Sequence, residues 1–449
     1  MFYQKNNKMN NKVSSATHLL LKIKYLLFFV IGYFFIGQLH AFCIRQAIIS
    51  STANNHQLMT ARENIKKEIF VTSEIMSEFF PNIEFKFQQD KKFLFKNKNM
   101  YVDQAHGYLN LQYKLFNGFT TIQKLLSRNH YIKFCYQEYH ALLNETFFNI
   151  LDSYQRAIAL KKIIKINEDD ILIAKKYLVK LKRAVEYNAS NISNLYLAQA
   201  ELAQVCSEKE KNIAQLIYIK NHLKYLTGLQ FLHFMAPIDI FHDENYIHYQ
   251  SFITTVMQNN YSIKARYYLS LYQKSQIQIS QGHLLPIIRV ILNTSKFFGL
   301  HDKNRRDLSE QNTDAVSFSV NMPLFDQGGM QYLNIIKTKK LYKMGQLDFQ
   351  NLKSRIHNEA KSIWGNYTSS EYILQQSINT QNNYYKRYYA LMKEHTLGAQ
   401  TIMNIIQAQK DHNSASMQMI KYEMIYKTYL FTLHKLMGNF SNIDMVKID

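Results

Sequence analysis

The segment 315–329, AVSFSVNMPLFDQGG, predicts the unit from which the whole chain is built. Val316, Phe318, Val320 and Met322 are apolar and alternate with small or polar residues, which is typical of a β-strand with one apolar face. The alternation ends in Pro-Leu-Phe-Asp and a glycine pair, and about seventy residues without proline follow. The segment therefore predicts a strand that turns directly into a very long helix.

The same pattern occurs once earlier, in the segment 107–118, GYLNLQYKLFNG. Apolar and polar positions alternate again, and the segment closes on Leu-Phe-Asn-Gly before another long stretch without proline. Each segment follows a strand-like run that begins after a proline, Pro81 in the first case and Pro286 in the second. Corresponding positions lie about 205 to 210 residues apart. We therefore predict a tandem duplication of a helix, a strand pair and a long helical hairpin.

Apolar spacing predicts the length of the hairpins. Between Phe119 and Tyr187 there is neither glycine nor proline, and apolar residues recur at every seventh position from Leu143 to Val185. A seam of this period is the pattern of a coiled coil. At about 1.5 Å per residue the helix is on the order of 100 Å long. A second seam of sevens follows the second strand pair, so we predict two long helices that each turn at a tip and return.

These patterns divide the chain into five predicted parts. They are a signal peptide at 1–41, a first repeat at 42–228, a linker at 229–245, a second repeat at 246–438 and a C-terminal tail at 439–449. Within the repeats we predict strand pairs at 82–95 with 107–117 and at 286–298 with 314–325, and helical hairpins at 118–227 and 328–437. We predict one helix from about 246 to 281 before the second strand pair.

The N-terminus predicts export. Lys22 and Lys24 precede an apolar run at 25–37, which is shorter than the roughly 20 residues of a spanning helix and fits a secretory signal. The alternative is an uncleaved anchor. Lipidation of Cys43 is a further alternative, but Phe42 stands before it, where lipid attachment requires a small residue.

Composition argues against catalysis and against nucleic-acid binding. The formal net charge of +21 is spread over helix faces, without a basic arm or zinc module, and indicates a solvated helical surface. The three cysteines form no disulfide framework, and the spacing of His242 and His248 fits no strong metal template. No nucleophile elbow, phosphate loop or catalytic carboxylate pair is present. We expect no enzyme, no metal, no cofactor and no nucleic-acid partner.

The strands point to the outer membrane. In an exported protein, strands with one apolar and one polar face fit the wall of a membrane β-barrel. The chain offers four such strands, whereas a closed barrel needs at least about eight, because open edges leave backbone groups unpaired in lipid. The barrel must then be shared between copies, and the long helices must extend into aqueous space beyond it.

The duplicated order of motifs resembles the TolC family of outer membrane factors over nearly the whole mature chain. In each repeat a helix ends in proline, a strand pair closes on Leu-Phe and a long helix follows. After the tip turn, the returning helix carries a Gln-Ala pair and ends in Leu-x-Gly, at Gly228 and Gly438. The first repeat departs from the family pattern at Lys114, where the family usually has a proline.

This resemblance implies a mainly α fold with a small β part. Tandem coiled-coil hairpins would form a periplasmic tunnel, and four strands per chain would join a twelve-stranded barrel in outer-membrane lipid, shared by a homotrimer. The implied function is that of the exit duct of a tripartite efflux or type I secretion system. The duct does no chemistry: a periplasmic adaptor opens it, and an inner-membrane pump or ABC exporter supplies the energy.

The resemblance also assigns expected roles to three sets of residues. The strand-to-helix turns are Leu115, Phe116, Asn117 and Gly118 in the first repeat and Pro323, Leu324, Phe325 and Asp326 in the second. The tips that would contact the adaptor are Asn188, Ala189 and Ser190 in the first repeat and Leu397, Gly398 and Ala399 in the second.

The third set is a gate at the tunnel tip. Relatives commonly hold acidic residues there, whereas the matching positions of this chain are the uncharged Asn194, Gln400, Asn404 and Gln407. Our hypothesis is that amide hydrogen bonds and tyrosines such as Tyr187 hold the aperture, which would give weaker charge latching and less cation selectivity. The alternative is that these are ordinary solvated tip residues.

A structural coiled-coil stalk or adhesin, anchored by the N-terminal apolar run and without a channel, is the alternative function. It explains the heptads and the export. It does not explain two strand pairs that close on the same Leu-Phe turn.

Overall fold

The computed structural model describes most of the chain. The predicted signal peptide, Cys43, the segment around His242 and Asp326 lie outside the described residues. The described parts are residues 44–93, 101–230, 248–299, 313–325 and 328–442.

The first repeat consists of two short helices, a strand pair and a long helical hairpin. In chain order these elements are α1 (Ile44–Asn54), α2 (His56–Ser77), β1 (Asn82–Phe93), β2 (Tyr101–Asn117), α3 (Thr120–Glu186) and α4 (Ile192–Thr227).

The second repeat has the same order of elements. They are α5 (Tyr249–Asn259), α6 (Tyr261–Gly282), β3 (Ile287–Gly299), β4 (Thr313–Asn321), α7 (Met330–Thr396) and α8 (Ile402–Met437), followed by a short 3₁₀ turn at Asn439–Asn442. The four helices of one repeat match those of the other in length, at 11, 22, 67 and 36 residues. The predicted tandem repeat is confirmed.

Two asparagines explain a break that the sequence pattern did not predict. The spacing predicted one helix from about 246 to 281, but the chain is divided at Asn260 into α5 and α6. The Asn260 side-chain oxygen accepts hydrogen bonds from the backbone N–H groups of Ser262 and Ile263, at 3.1 and 3.3 Å. Asn55 caps α2 in the same way. An asparagine N-cap satisfies donors that the first helical turn leaves free.

The same two asparagines also tie each short helix pair to the end of its own hairpin. The Asn55 amide donates to the carbonyl of Leu226 at 3.3 Å, and the Asn260 amide donates to the carbonyl of Leu436 at 3.1 Å. Each repeat therefore closes on itself through one buried amide, and the duplication extends to individual hydrogen bonds.

The strands form one antiparallel sheet in the order β1-β2-β3-β4. The register brings Ile83, Leu111, Leu292 and Val316 into one cross-strand row. The apolar row Tyr113, Val290 and Phe318 falls on the same face, where the row of Phe85 and Leu109 continues into Thr294 and Asp314. Polar rows such as Glu84, Asn110 and Asn293 fall on the other face. The alternation read from the sequence thus becomes a single sheet with one apolar and one polar face.

The observed strand bounds differ from the predicted ones. β2 begins at Tyr101 rather than 107, and β4 ends at Asn321 rather than 325, because Pro323 has no N–H for a ladder hydrogen bond. β3 is shifted by one residue from 286–298. β1 ends at Phe93 rather than 95, and the described residues stop there. The β2–β3 register shifts between Lys114 and Phe116.

The long helices lie side by side. α3 packs against α4 and α8, and α8 packs against α7, so the order across the protein is α4, α3, α8, α7. Toward the sheet, α6 packs against α3 and α7. The largest buried side chains, Phe147 in α3 and Phe252 in α5, each centre a core where the short helices meet a hairpin. Among the described residues, no helix is both long and apolar enough to cross a bilayer.

Candidate functional site

The first hairpin turns through a left-handed asparagine. Asn188 has a φ of 55°, and the Ala189 N–H returns to the carbonyl of Ala184 at 2.7 Å. The Asn188 N–H donates to the carbonyl of Val185 at 3.0 Å, which is the geometry of a helix C-terminal closure. Tyr187 stands 82% exposed beside it.

The second hairpin turns in the same way but uses glycine. Gly398 has a φ of 79°, the Ala399 N–H donates to the carbonyl of Glu394 at 2.9 Å, and Leu397 is largely exposed. α3 runs toward the first tip and α8 runs away from the second. Asp170 contacts Asn413 and Asp152 contacts Thr428, so the two helices are antiparallel and both tips lie at the same end of the molecule. The predicted tip residues of the two repeats therefore share one end.

The amides predicted as a gate make local hydrogen bonds. Asn194 donates to the Ser190 hydroxyl at 3.2 Å, and Asn404 donates to the Gln400 side-chain oxygen at 2.8 Å. Each contact spans four residues on one helical tip. Asn194, Asn404 and Gln407 are exposed, so their remaining hydrogen-bonding capacity is open to a neighbour.

An ion pair near the second tip was missed by the sequence reasoning. Arg387 on α7 donates to Asp411 on α8 at 2.6 Å, and Gln407 donates to the other Asp411 oxygen at 2.8 Å. The second tip is therefore uncharged only as far as Gln407, because the charged Asp411 lies one helical turn further along α8. A signal was present, because Arg387 and Asp411 are equally distant along the chain from Ala399 and must face each other in the hairpin.

A cluster of tyrosines near the second tip packs within its own hairpin. The rings of Tyr385 and Tyr388 on α7 lie 5.5 and 6.5 Å from the ring of His412 on α8, and Gln381 lies 3.0 Å from the His412 Nε2. Lys393 lies over the Tyr389 ring at 4.9 Å. These aromatic residues join α7 to α8 near the tip.

A polar seam joins the first hairpin to α8 below the tips. Asn413 donates to Asp170 at 2.6 Å, and Lys410 lies 2.5 Å from Glu201. Burial raises the pKa of Asp170, partly offset by the hydrogen bond from Asn413. Deeper in the same seam, Asn212 donates to the buried Asn167 at 2.9 Å. The seam holds three helices together through polar contacts.

The first strand-to-helix turn is anchored to the rest of the chain. Gly118 and Phe119 both have positive φ, and Gly118 packs directly on the backbone of Gly282 at the end of α6. Asn117 donates to Thr121 at 2.5 Å, and Thr121 donates in turn to Glu78 at 2.7 Å. Leu115 is exposed, and the rings of Phe116 and Phe119 meet edge to face at 5.0 Å.

Glu78 is the charged anchor of this turn. Burial opposes its ionisation, but hydrogen bonds from Lys124 and Thr121 outweigh that effect and lower its pKa.

The second turn is held differently: the Leu324 carbonyl accepts from the Gln331 side chain at 3.3 Å, and Leu324 and Phe325 are exposed after Pro323.

We compared the chain with protein-family models, curated proteins and solved structures. No protein-family model and no curated protein matches the chain. Among solved structures, the Campylobacter jejuni CmeC outer membrane channel is similar at a TM-score of 0.75 and 13% identity, over 90% of each chain. The open state of the Neisseria gonorrhoeae MtrE outer membrane channel is similar at a TM-score of 0.72 and 12% identity, over 88% of each chain.

The outer membrane protein VceC from Vibrio cholerae is similar at a TM-score of 0.70 and 12% identity, over 88% of this chain and 96% of that one. These structural similarities show the fold of the chain. The fold agrees with the resemblance that the duplicated motifs indicate. The chain has the fold of the TolC-like outer membrane channels.

Proposed function

We propose that the chain is the outer-membrane exit duct of a tripartite efflux or type I secretion system. The observation that carries this proposal is the four-stranded sheet, which has one exposed apolar face and two open edges. Export through the predicted signal peptide at 1–41 would bring the chain to the periplasm.

The apolar face supports placement in lipid. Phe85 and Phe318, on the two edge strands, are 69% and 72% exposed, and Ile83 and Val320 are similarly open. Burying each such side chain is worth roughly 1.5–3 kcal/mol, so a whole face of them in water is strongly unfavourable. Contact with lipid acyl chains removes that cost and leaves the polar face toward a lumen.

The sheet edges support assembly from several copies. β1 and β4 each pair with a strand on one side only, which leaves both outer edges of the described sheet without a neighbouring strand. Each unpaired group costs several kcal/mol in hydrocarbon. Pairing of β4 of one copy with β1 of the next satisfies both rows, and three copies close a barrel of twelve strands.

The hairpins support a tunnel on the aqueous side. α3 and α7 have 67 residues each, or about 100 Å at the rise of an α-helix. Three copies of the row α4, α3, α8, α7 form a ring of twelve helices. The shared tip end is then the aperture, which an adaptor contacts and which an inner-membrane pump or exporter supplies with cargo. The duct is a passive conduit and no enzyme.

We assign the closed aperture to the tip amides Asn194, Gln400, Asn404 and Gln407 together with Tyr187. Replacing Asn404 and Gln407 together by Ala should raise the open probability of the channel in a planar bilayer. Conductance that rises steeply at acidic pH or falls with divalent cations would contradict the amide gate.

The duct is tested by mass and conductance of one preparation of detergent-extracted protein. A trimer that forms discrete conducting channels in a planar bilayer is the expected result. A monomer or dimer that does not conduct and stays with the inner membrane would refute the duct and favour a coiled-coil stalk.

A further inference from the structure

Two cations lie opposite each other on the polar face of the sheet, at the end where the strands join the helices. The register pairs Lys114 of β2 with Arg289 of β3, and Ser319 of β4 completes the row. Side chains directly opposite in an antiparallel pair have Cβ atoms about 4.5–5.5 Å apart, and like charges there are destabilising. We call Lys114 and Arg289 the cation pair. Their repulsion is relieved when an anion lies between them.

The Arg289 guanidinium has no partner within the described part of the chain. It forms no ion pair and no hydrogen bond there, and its Nε is buried. A guanidinium carries five N–H donors and keeps its charge in proteins. A buried donor without an acceptor is unfavourable, and a charged donor more so than a neutral one. An acceptor from outside the chain would therefore stabilise this position.

The carboxylates nearest to the cation pair among the described residues already have other partners. Lys114 acts on Glu78 electrostatically, but both Glu78 oxygens accept hydrogen bonds from side chains of α3, each at 2.7 Å. Glu84 lies on the same face of the sheet and pairs with Lys86 at 3.1 Å. Its row is four residues from Lys114 along β2, or about 13 Å. The cation pair therefore keeps a net positive charge.

The surroundings of the cation pair suit an oxyanion. The next row on the same face is uncharged and consists of Gln112, Ile291 and Ser317. Lys114 is exposed in the single chain, so a solute can reach the pair. The planar fork of a guanidinium matches two oxygens of a carboxylate or phosphate, whereas a lysine ammonium acts as a mobile point charge. The two side chains thus supply geometry and charge for the same ligand.

We propose that the cation pair binds an oxyanion, namely a phosphate, sulfate or carboxylate group, either as a free ion or as part of a solute. Arg289 would hold two oxygens of the group, and Lys114 would add the second charge from the neighbouring strand. Both residues belong to one copy of the sheet, so the site does not depend on assembly. A consequence rests on the proposed duct: there the polar face lines the lumen, and the pair would favour the passage of anions.

The test follows thermal melting of the detergent-extracted full chain while inorganic phosphate replaces chloride at constant ionic strength. A ligand that binds the folded state stabilises it, so the melting temperature should rise with phosphate and approach saturation. Arg289→Gln and Lys114→Gln should each raise the half-saturating phosphate concentration by about tenfold or more. Phosphate also stabilises proteins without occupying a site, so the difference between chains is the quantity measured.

Lys296→Gln is the matched control. It removes one positive charge from the same strand as Arg289, but Lys296 is opposite Gly107 on the apolar face. This variant should keep the phosphate response of the unchanged chain. In chloride alone, Arg289→Gln should melt at or above the temperature of the unchanged chain, because it removes the repulsion with Lys114. Equal phosphate responses in all chains, or an Arg289→Gln protein that melts lower in chloride, would overturn the proposal.

Glucose 6-phosphate, with glucose as its neutral control, distinguishes the two sources of the oxyanion. A response to glucose 6-phosphate that Arg289→Gln loses assigns the site to phosphate groups on solutes as well, whereas a response to inorganic phosphate alone assigns it to the free ion.

Reversal potentials in a potassium chloride gradient test the consequence for the lumen. Arg289→Gln should shift selectivity toward cations, and Lys296→Gln should not. The site and the duct fail separately. A conducting trimer without a phosphate response refutes the site and leaves the duct standing, and a chain that binds phosphate but forms no channel does the reverse.

Discussion

Burial makes one of the cysteines chemically inert. Cys135 on α3 is only 5% exposed, and burial, with a contribution from the nearby Glu68 carboxylate, raises its pKa to about 11. At pH 8 about one thiol in a thousand is then ionised, and the thiolate is the reactive form. Cys206 on α4 is only partly buried, and neither residue forms a disulfide.

We therefore expect iodoacetamide at pH 8 to alkylate Cys206 and to leave Cys135 intact. Mass spectrometry of tryptic peptides after short exposure measures the ratio. Unfolding in urea should make the two rates similar, which controls for intrinsic reactivity. Comparable labelling of both residues in the folded protein would contradict the packing of α3.

Replacement of two glycines by alanine should change the stability of the protein in opposite directions. A Cβ at Gly282 would lie 2.6 Å from the carbonyl oxygen of Gly118 and 2.8 Å from the Thr120 methyl group, so Gly282→Ala forces the first turn away from α6. We expect a loss of about 1–3 kcal/mol. Gly365 lies inside α7 with no neighbour within 4 Å, and Gly365→Ala should gain about 0.5–1 kcal/mol of helix stability.

Thermal unfolding in detergent, followed by circular dichroism, measures both glycine variants. The expected order of melting temperature is Gly365→Ala above the unchanged chain and Gly282→Ala below it. A Gly282→Ala protein that melts with the unchanged chain would show that the turn and α6 are not in contact.

At the scale of elements, the polar seam fixes the register of the hairpins. A coiled-coil seam of leucines and isoleucines can slide by a heptad at small cost, whereas buried amides such as Asn167 and Asn212 are satisfied in one register only. Asp170 and Asn413 add a second such constraint. The seam therefore sets how α3, α4 and α8 align along their length.

Asp170 makes this seam sensitive to pH. Its pKa is raised, so the folded state holds the proton more tightly than the unfolded state. Its effect on stability is absent at low pH, where the carboxyl is protonated in both states. As pH rises from the ordinary aspartate pKa of about 3.9 through the raised folded value, stability falls and then levels off.

Asp170→Asn keeps the acceptor for Asn413 and removes the charge. We expect the variant to be more stable than the unchanged chain at pH 7.5 and equal to it at low pH, where the Asp170 carboxyl is protonated in both states. Urea unfolding at both pH values measures the difference. Asp348→Asn, which makes the same side-chain change at an exposed position of α7, is the matched control.

Sequence patterns predicted the elements because the elements depend on local periodicity. Alternation located the strands, and heptads located the long helices. The sequence pattern missed the break at Asn260 because an asparagine that caps a new helix cannot be told from an asparagine inside one helix by apolar spacing alone. Asn55 caps α2 with the same hydrogen bonds. The Arg387–Asp411 pair was missed because heptad spacing describes one helix at a time, although the equal distances of the two residues from the turn at Ala399 carried the signal.

The two faces of the sheet have opposite requirements. In β4 the neighbours Phe318 and Ser317 point to opposite faces, and both are exposed in the single chain. Phe318 belongs to the apolar row with Tyr113 and Val290. Ser317 lies on the other, polar face, where its cross-strand partner is Ile291. One substitution made at each position therefore tests the orientation of the barrel wall.

Phe318→Lys places a charge on the lipid-facing side of the proposed barrel, which costs about 2–4 kcal/mol near the bilayer midplane. We expect a clear drop in folded trimer recovered from the outer membrane fraction. Ser317→Lys places the same charge toward the lumen, where water and counterions solvate it, so recovery should be unchanged while ion selectivity shifts toward anions. Gel mobility of unheated samples measures the trimer, and reversal potentials in a salt gradient measure selectivity. Equal recovery of the two variants would mean that the apolar face of the sheet does not lie in lipid, whatever the long hairpins do on the other side.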